Sequence, residues 1–470
     1  IEDYRLAEKN LRIAYKNNPQ EAAADLGLLL HDVEELEANE NEVFELVSMG
    51  AERGLFMAKV SLGELLIQGK GTGQDVASGL RVLEEVAQEN FQEAFLSLAE
   101  IYSKGIGVTR STEETSKWLR KAAKAGHLQS EYKLATLMIK GELSQHTVQD
   151  GLDAMEGLAY RGYSDAQWHL GWYNKWIINP PNLEEAVKWY QMGAESGDKL
   201  SKITYGEMLA RGQGIEKNEE LGLEIMKSVA ETGDLSAQGD YGEILLSLGR
   251  HAEGRKWLRE AVKSGNKYDL TSLGSHLLQF NSSSAEVEEG IGYLEQAADQ
   301  DYAYAISLLG RYYKDGIGVK RNLDVALKWL MKASELGDAY GALLVANIYN
   351  DAVLGRIDHN KAYTWFLKAA ELGSVYANVN LGFAHQTGLG VPRDFIKARK
   401  FYEIAAKEGD PVAIASLAAL GATGQIPDLN IRTSLAMMDK ALEIIEVAGP
   451  EYEAQKASIY ENYGNFQNIR

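Results

Sequence analysis

The chain has 470 residues, with 48 lysines and arginines against 68 aspartates and glutamates, for a net charge of -20. That charge repels phosphate backbones and anionic lipid surfaces, and no apolar run approaches the ~18 residues a membrane helix needs, so nucleic acid and membrane insertion are set aside. With no cysteine, disulfides, thiolate metal sites and a cysteine nucleophile are excluded, while 45% hydrophobic residues and only 7 prolines indicate a helical, globular chain.

The first residue is Ile1, which leaves room for a signal peptide, lipobox or tag upstream, so compartment is not read from the residues. Residues 1–19 resemble one helix whose partner is missing, and are expected to cap an open end. From there to residue 449 the chain repeats. A small residue recurs at Gly27, Gly63, Ala99, Ala135, Gly171, Gly206, Gly242, Gly274, Gly310, Ala346, Gly382 and Ala418, at intervals of 36 except 35 after Gly171 and 32 after Gly242. Such phase is the mark of a repeat array, in which length counts repeats and not domains. Glycine-rich turns follow several markers (GKGTGQD, KGIGV, RGQGI, DGIGV, TGLGV) and keep the register.

Asp301 to Asp338 shows the unit most clearly. Ala305, Leu309, Tyr312 and Gly316 share one helical face, a glycine turn stops that helix, and Asn322 caps a second helix that carries Ala326, Trp329, Leu330 and Ala333 and ends at Gly337. The unit is an antiparallel helix pair. Between 247 and 290 one copy lacks its glycine turn and the next closes on Gln279, Phe280, Asn281 and three serines, so a bend is expected there. The last second helix runs from Asn430 to Ala448, and residues 450–470 are expected to form a C-terminal capping helix and tail.

The pattern A-x-x-x-L-G-x-x-Y-x-x-G-x-G-V, then K-A-x-x-W-Y-x-K-A-A-E-x-G, seen in AISLLGRYYKDGIGVKRNLDVALKWLMKASELG and ANVNLGFAHQTGLGVPRDFIKARKFYEIAAKEG, resembles the Sel1-like repeat family, relatives of tetratricopeptide repeats. The resemblance covers about 20 to 445. It implies an all-α, α/α superhelical solenoid of about twelve helix-turn-helix repeats, with a concave face lined by the first helix of each pair. It also implies a non-enzymatic scaffold or adaptor for proteins, in settings that include bacterial envelope, secretion and effector-immunity systems, with a periplasmic or secreted location favoured by family habit. Members with a disulfide in each repeat have been associated with penicillin-like compounds, and the absence of cysteine disfavours that subgroup.

Trp118, Trp189, Trp257, Trp329, Trp365 and the corresponding Phe401 occupy one second-helix position and are expected in the core. Trp168, Trp172 and Trp176 form a different stripe, at steps of four in a single first helix. Counting the alanine of the motif as position 1, they take positions 3, 7 and 11, about 130° from the buried face. By comparison with tetratricopeptide repeats these positions line the groove. Elsewhere position 7 holds Glu64, Glu100, Glu207, Glu243 and Arg311. The expected partner-binding set is therefore Trp168, His169, Trp172 and Trp176, with Phe383 at position 7 and the position 3 residues Leu343 and Val379 as weaker candidates, and with Glu64, Glu100, Glu207 and Glu243 favouring a basic segment of a protein or peptide partner.

No turn has the GxxxxGK[ST] order, no GxSxG or HExxH occurs, and the eight histidines are scattered. Neither a catalytic residue, a metal nor a cofactor is expected, and the protein is expected to act as a monomer. The rival reading is a hydrolase or small-ligand (β-lactam-like) binder using a pocket in the concave face.

Overall fold

The structure is a computed structural model that describes residues 2–280, 283–352 and 355–447. Among them there is no strand, and helices follow one another as antiparallel pairs. The chain forms two compact units, 1–229 and 230–470. In the first, helix Glu2–Asn17 packs on Pro19–Asp32, and six pairs carry the markers from Gly27 to Gly206; in the second, six pairs carry those from Gly242 to Ala418. The expected C-terminal helix and tail at 450–470 lie outside the described residues, as do Asn281 and Ser282 in the irregular copy.

All twelve marker residues are buried in first helices. They lack bulk because the second helix of the same pair crosses there. A Cβ on Gly310 would stand 2.5 Å from Leu330 Cγ, one on Gly171 2.7 Å from the Tyr190 ring, and one on Gly382 2.6 Å from the Tyr402 ring. Each of these three pairs thus meets through one small residue of the first helix and one large residue of the second.

The turn is fixed by two further features. In most copies the sixth residue after the marker is a glycine at positive φ, such as Gly69, Gly105, Gly212, Gly316 and Gly388, which ends the first helix in the left-handed conformation. The second turn glycine lies against the preceding pair: a Cβ on Gly390 would be 2.2 Å from the His359 carbonyl oxygen, and one on Gly214 2.5 Å from Leu183. The backbone N–H of the second-helix cap then donates to the carbonyl three residues after the marker, as in Asn322 to Tyr313 at 2.8 Å and Asp394 to His385 at 2.9 Å. The Asn322 side chain accepts from the backbone of Asp324 and Val325, as the sequence predicts.

Ala305, Leu309, Tyr312, Ala326, Leu330 and Ala333 are fully buried, whereas Gly316 is exposed because it is the helix-ending residue. Of the six ring positions expected in the core, Trp118 and Trp189 are buried; Trp257, Trp329, Trp365 and Phe401 are only partly so.

One copy breaks the alphabet of its buried face. Where the others place Ala, Ser or Gly five residues before the marker, the copy of Gly274 has Asp269, 7% exposed, with Oδ2 lacking a hydrogen-bond partner. Burial, then Glu243 and Asp240, push its pKa up to about 6. Because the folded state holds this proton more tightly than the unfolded chain, the stabilising contribution is present at acid pH and is lost as pH rises through about 6.

Two predictions follow from the packing. Gly310→Ala lowers stability by about 1–3 kcal/mol through overpacking against Leu330, whereas Gly292→Ala, in helix Ser284–Ala298 with nothing within 4 Å of the added carbon, raises it by about 0.5–1 kcal/mol; chemical denaturation distinguishes the two. Asp269→Asn raises the melting temperature at pH 8, with a gain on the order of 2–3 kcal/mol; the gain shrinks as pH falls through about 6 and is gone only below the ordinary carboxylate range, pH ~4, as calorimetry over that range would show.

Candidate functional site

The tryptophan copy differs from its neighbours in how its first helix ends. Six residues after Gly171 stands Ile177, not glycine, so the left-handed stop is unavailable. Helix Ser164–Trp172 instead widens into a π turn over Tyr173–Ile177, in which the Ile178 N–H donates to the Tyr173 carbonyl at 3.3 Å. An unbroken α-helix through Trp176, assumed in the stripe geometry, is thereby corrected: the wider turn rotates Trp176 away from the line of Trp168 and Trp172. The turn still closes as elsewhere, with Asn182 N–H donating to the Asn174 carbonyl at 2.9 Å.

Exposure rises along the three rings. Trp168 is partly buried and packs on the cluster of Ala186, Val187, Tyr190 and Met208. Trp172 is partly buried, edge-on to His169 with ring centres 5.7 Å apart. Trp176 is 64% exposed. Its ring lies 5.0 Å from the ammonium of Lys175, a side chain only 9% exposed, whose nearest carboxylate is Glu207 at 3.9 Å. Burial pushes the Lys175 ammonium toward losing its proton, opposed by Glu207. A buried cation with so loose a partner holds the indole above it.

His169 extends the site to the preceding pair. Its Nδ1 is 3.1 Å from the Tyr132 hydroxyl, and Tyr132 also stacks obliquely on Tyr163. Burial, with Lys140 nearby, lowers the His169 pKa, so the ring is neutral at neutral pH. Tyr132 borders an open cleft of about 540 Å³ on first helices Gln92–Lys104 and Leu128–Ile139, where Leu96, Glu100, Lys104, Thr136 and Lys140 also line the wall. Tyr132, His169 and Trp172 thus continue an existing depression with a run of rings, and Trp176 stands four residues beyond Trp172.

The acidic residues do not present bare carboxylates in the first unit. Glu64 meets His31 at 3.1 Å, Glu100 meets Lys104 at 2.5 Å, and Glu207 meets Arg211 at 3.0 Å besides Lys175. Glu207 is thereby joined to the tryptophan site, whereas Glu64 belongs to a separate cleft of about 440 Å³ with Leu30 and Gln68. In the second unit Glu243 is exposed, Phe383 is 49% exposed beside Asn380 and Asn350, and Leu343 and Val379 are partly buried. Tyr132 and Lys175 were missed by the sequence reading. Tyr132 shares position 3 with Trp168 one repeat earlier, a signal available in the register; Lys175 had none, because its burial depends on the π turn.

Among the described residues no group of three His, Asp or Glu is placed to hold a metal ion, and no helix is long and apolar enough to cross a membrane. The Sel1 repeat family pattern matches residues 93–127, 164–198, 205–234, 278–302, 303–338, 340–374 and 375–410. An uncharacterized protein of Neisseria meningitidis serogroup B is 27% identical over 159 residues, 34% of this chain and 33% of its own. Protein sel-1 homolog 2 of Homo sapiens is 26% identical over 153 residues, 32% of this chain and 22% of its own. The chain thus matches a third or less of the length of these relatives.

Among solved structures, c5321, a protective antigen of uropathogenic Escherichia coli with an SLR fold, aligns at TM-score 0.48 and 20% identity over 98% of this chain and 97% of that one. A Sel1 repeat protein from Oxalobacter formigenes aligns at 0.37 and 22% over 78% and 87%, and immunity protein Pa5087 from Pseudomonas aeruginosa at 0.33 and 19% over 44% and 81%. Sel1 and tetratricopeptide-like repeat proteins generally mediate protein–protein interactions, on a fold that is generally a non-enzymatic scaffold. From its repeated helix pairs, its glycine turns and the seven matched repeats, this chain belongs to the Sel1-like repeat family.

Proposed function

We propose that this protein is a binding scaffold whose first unit docks a protein or peptide segment along Tyr132, His169, Trp172 and Trp176. The observation that carries this reading is Trp176: a large ring, 64% exposed, fixed over a buried ammonium. Exposed indole contributes little to a fold, and its burial at an interface supplies about 2 kcal/mol or more as an anchor. The adjoining cleft of about 540 Å³ gives the rest of the segment a place to lie.

The hydrogen bond between Glu64 and His31 and the pairing of Glu100 and Glu207 with Lys104 and Arg211 shift recognition from charge to rings, so a basic partner segment is not the preferred occupant. Monomeric action, and work in a bacterial envelope, secretion or effector-immunity system from a periplasmic or secreted position, belong to the same proposal. Capture of a toxic effector on this face is one form of it. A constant monomer mass in light scattering over a range of concentrations is the expected outcome for assembly state.

Three changes separate docking from packing. Trp172→Ala with Trp176→Ala leaves stability within about 1 kcal/mol and weakens partner binding about thirtyfold, read by affinity capture and then titration with the purified partner. Trp168→Ala, by contrast, costs about 2 kcal/mol through its contact with Tyr190 and Met208. Lys175→Met keeps or raises the melting temperature, since it removes a poorly paired buried charge, yet releases Trp176, seen as a red shift of its fluorescence. Capture of the same proteins by wild type and the Trp172, Trp176 double variant would overturn the assignment.

A further inference from the structure

The second unit carries its own row of rings, which the tryptophan site does not involve. Tyr268, Tyr304, Tyr340 and Tyr376 recur at 36-residue intervals, one in each of four successive first helices, immediately before the buried residue five positions ahead of the marker (Asp269, Ala305, Gly341 and Ala377), and are 57%, 55%, 39% and 52% exposed. At about 100° per residue this position lies within about 20° of positions 7 and 11 of its own helix. The four tyrosines therefore mark one line on the first-helix side of the unit. No other stretch places rings there: the first unit has Glu21, Met57, Glu93, Gln129, Asp165 and Leu200 at the same position.

The rungs are positioned by their surroundings. Tyr268 and Tyr304 flank Tyr302, with ring centres 5.2 and 6.1 Å from it, and the Lys267 ammonium sits 5.5 Å from the Tyr268 ring and 5.3 Å from the Tyr302 ring. Arg311, at position 7 of the next repeat, lies against the Tyr312 ring and faces the Tyr340 hydroxyl. The line thus offers ring faces for apolar contact and hydroxyl, ammonium and guanidinium groups as donors. Glu243 acts on Tyr302 from the other side, so charges of both signs border the row and neither sign of ligand is selected.

The spacing selects the ligand's conformation. First helices Ala303–Asp315 and Ala339–Asn350 touch directly, and packed helices lie about 8–10 Å apart. A polyproline II chain rises about 3.1 Å per residue with three residues per turn, so the same side of it returns every ~9.3 Å, in step with the separation of two packed first helices such as those of Tyr304 and Tyr340. A strand returns each side about every 6.7 Å and falls out of step. A proline-rich chain also lacks backbone N–H groups and displays carbonyl acceptors, which suit a surface of donors. We propose that Tyr268, Tyr304, Tyr340 and Tyr376 form a docking ladder for a proline-rich segment of about ten residues in the polyproline II conformation.

The test is titration of the full chain with a fluorescently labelled ten-residue oligoproline, with a glycine-serine peptide and an acidic peptide of equal length as controls. Saturable binding of the oligoproline alone is expected. Tyr304→Ser with Tyr340→Ser weakens it about tenfold or more, and Tyr304→Phe with Tyr340→Phe, which keeps the rings and removes the donors, weakens it about threefold. Circular dichroism and melting temperature stay at the wild-type values because the rings are exposed. The Trp172→Ala, Trp176→Ala variant binds oligoproline as wild type does, which separates this surface from the one in the first unit. Absence of saturable binding, equal binding of either control peptide, or indifference to both tyrosine pairs would overturn the proposal.

Discussion

The pairs whose marker is glycine depend on a close approach between that glycine and the second helix. Gly310 admits Leu330, Gly171 admits Tyr190 and Gly382 admits Tyr402, at separations that leave no room for a β-carbon. The consequence is a close crossing at the marker, with large side chains of both helices buried beside it, such as Leu309 and Tyr312 from one and Leu330 from the other. The face of the first helix turned away from this crossing is left for whatever the sequence places there.

Most of the fold was legible because each device recurs. The marker, the positive-φ glycine six residues later and the side-chain cap of the second helix each leave a residue type at a fixed offset, and eleven intervals make the offset unmistakable. What the sequence did not reveal was the effect of a missing device. Ile177 stands where a glycine follows the marker in most other copies, and the π turn that results could not be read from residue types, because Ile has no signature for it. The same limit applies to Trp257, Trp329 and Trp365. Their register is that of Trp118, but how deeply each sinks depends on the neighbouring pair and not on its own helix.

The candidate site was legible in kind and blurred in detail. Three tryptophans in one first helix depart from the repeat alphabet and drew attention correctly to that copy, yet only Trp176 is well exposed while Trp168 fills space against Tyr190 and Met208. The acidic residues at position 7 suggested a field that the structure largely cancels, since Lys104 and Arg211 stand one helical turn beyond Glu100 and Glu207. Charges that alternate along a helix are invisible to a count made at one position. The tyrosine row was equally present in the register and equally missed, because its position falls one residue before the motif from which counting began.

The buried polar groups show why departures of this sort persist. Asp269 replaces a small residue, Lys175 lies beneath an indole, and His276 hydrogen-bonds His251 at 3.0 Å while Phe280 stacks on both rings, with burial, then His251 and Arg255, pushing the His276 pKa down to about 4. In a single-core domain such groups would disturb packing throughout. In a repeat array each pair contacts its neighbours, so the penalty stays with one or two interfaces while the remaining pairs hold their geometry. Asp269 and His276 also respond to pH in opposite senses: the first loses its stabilising effect as pH rises through about 6, and the second costs stability as pH falls below the ordinary histidine range toward 4. Both sit in helix Lys267–Gln279, where the regular turn is already missing. That one helix therefore brings together two buried groups with opposite responses to pH, while Asp410, another buried carboxylate of the unit whose pKa burial also raises, lies at the cap of helix Pro411–Ala422.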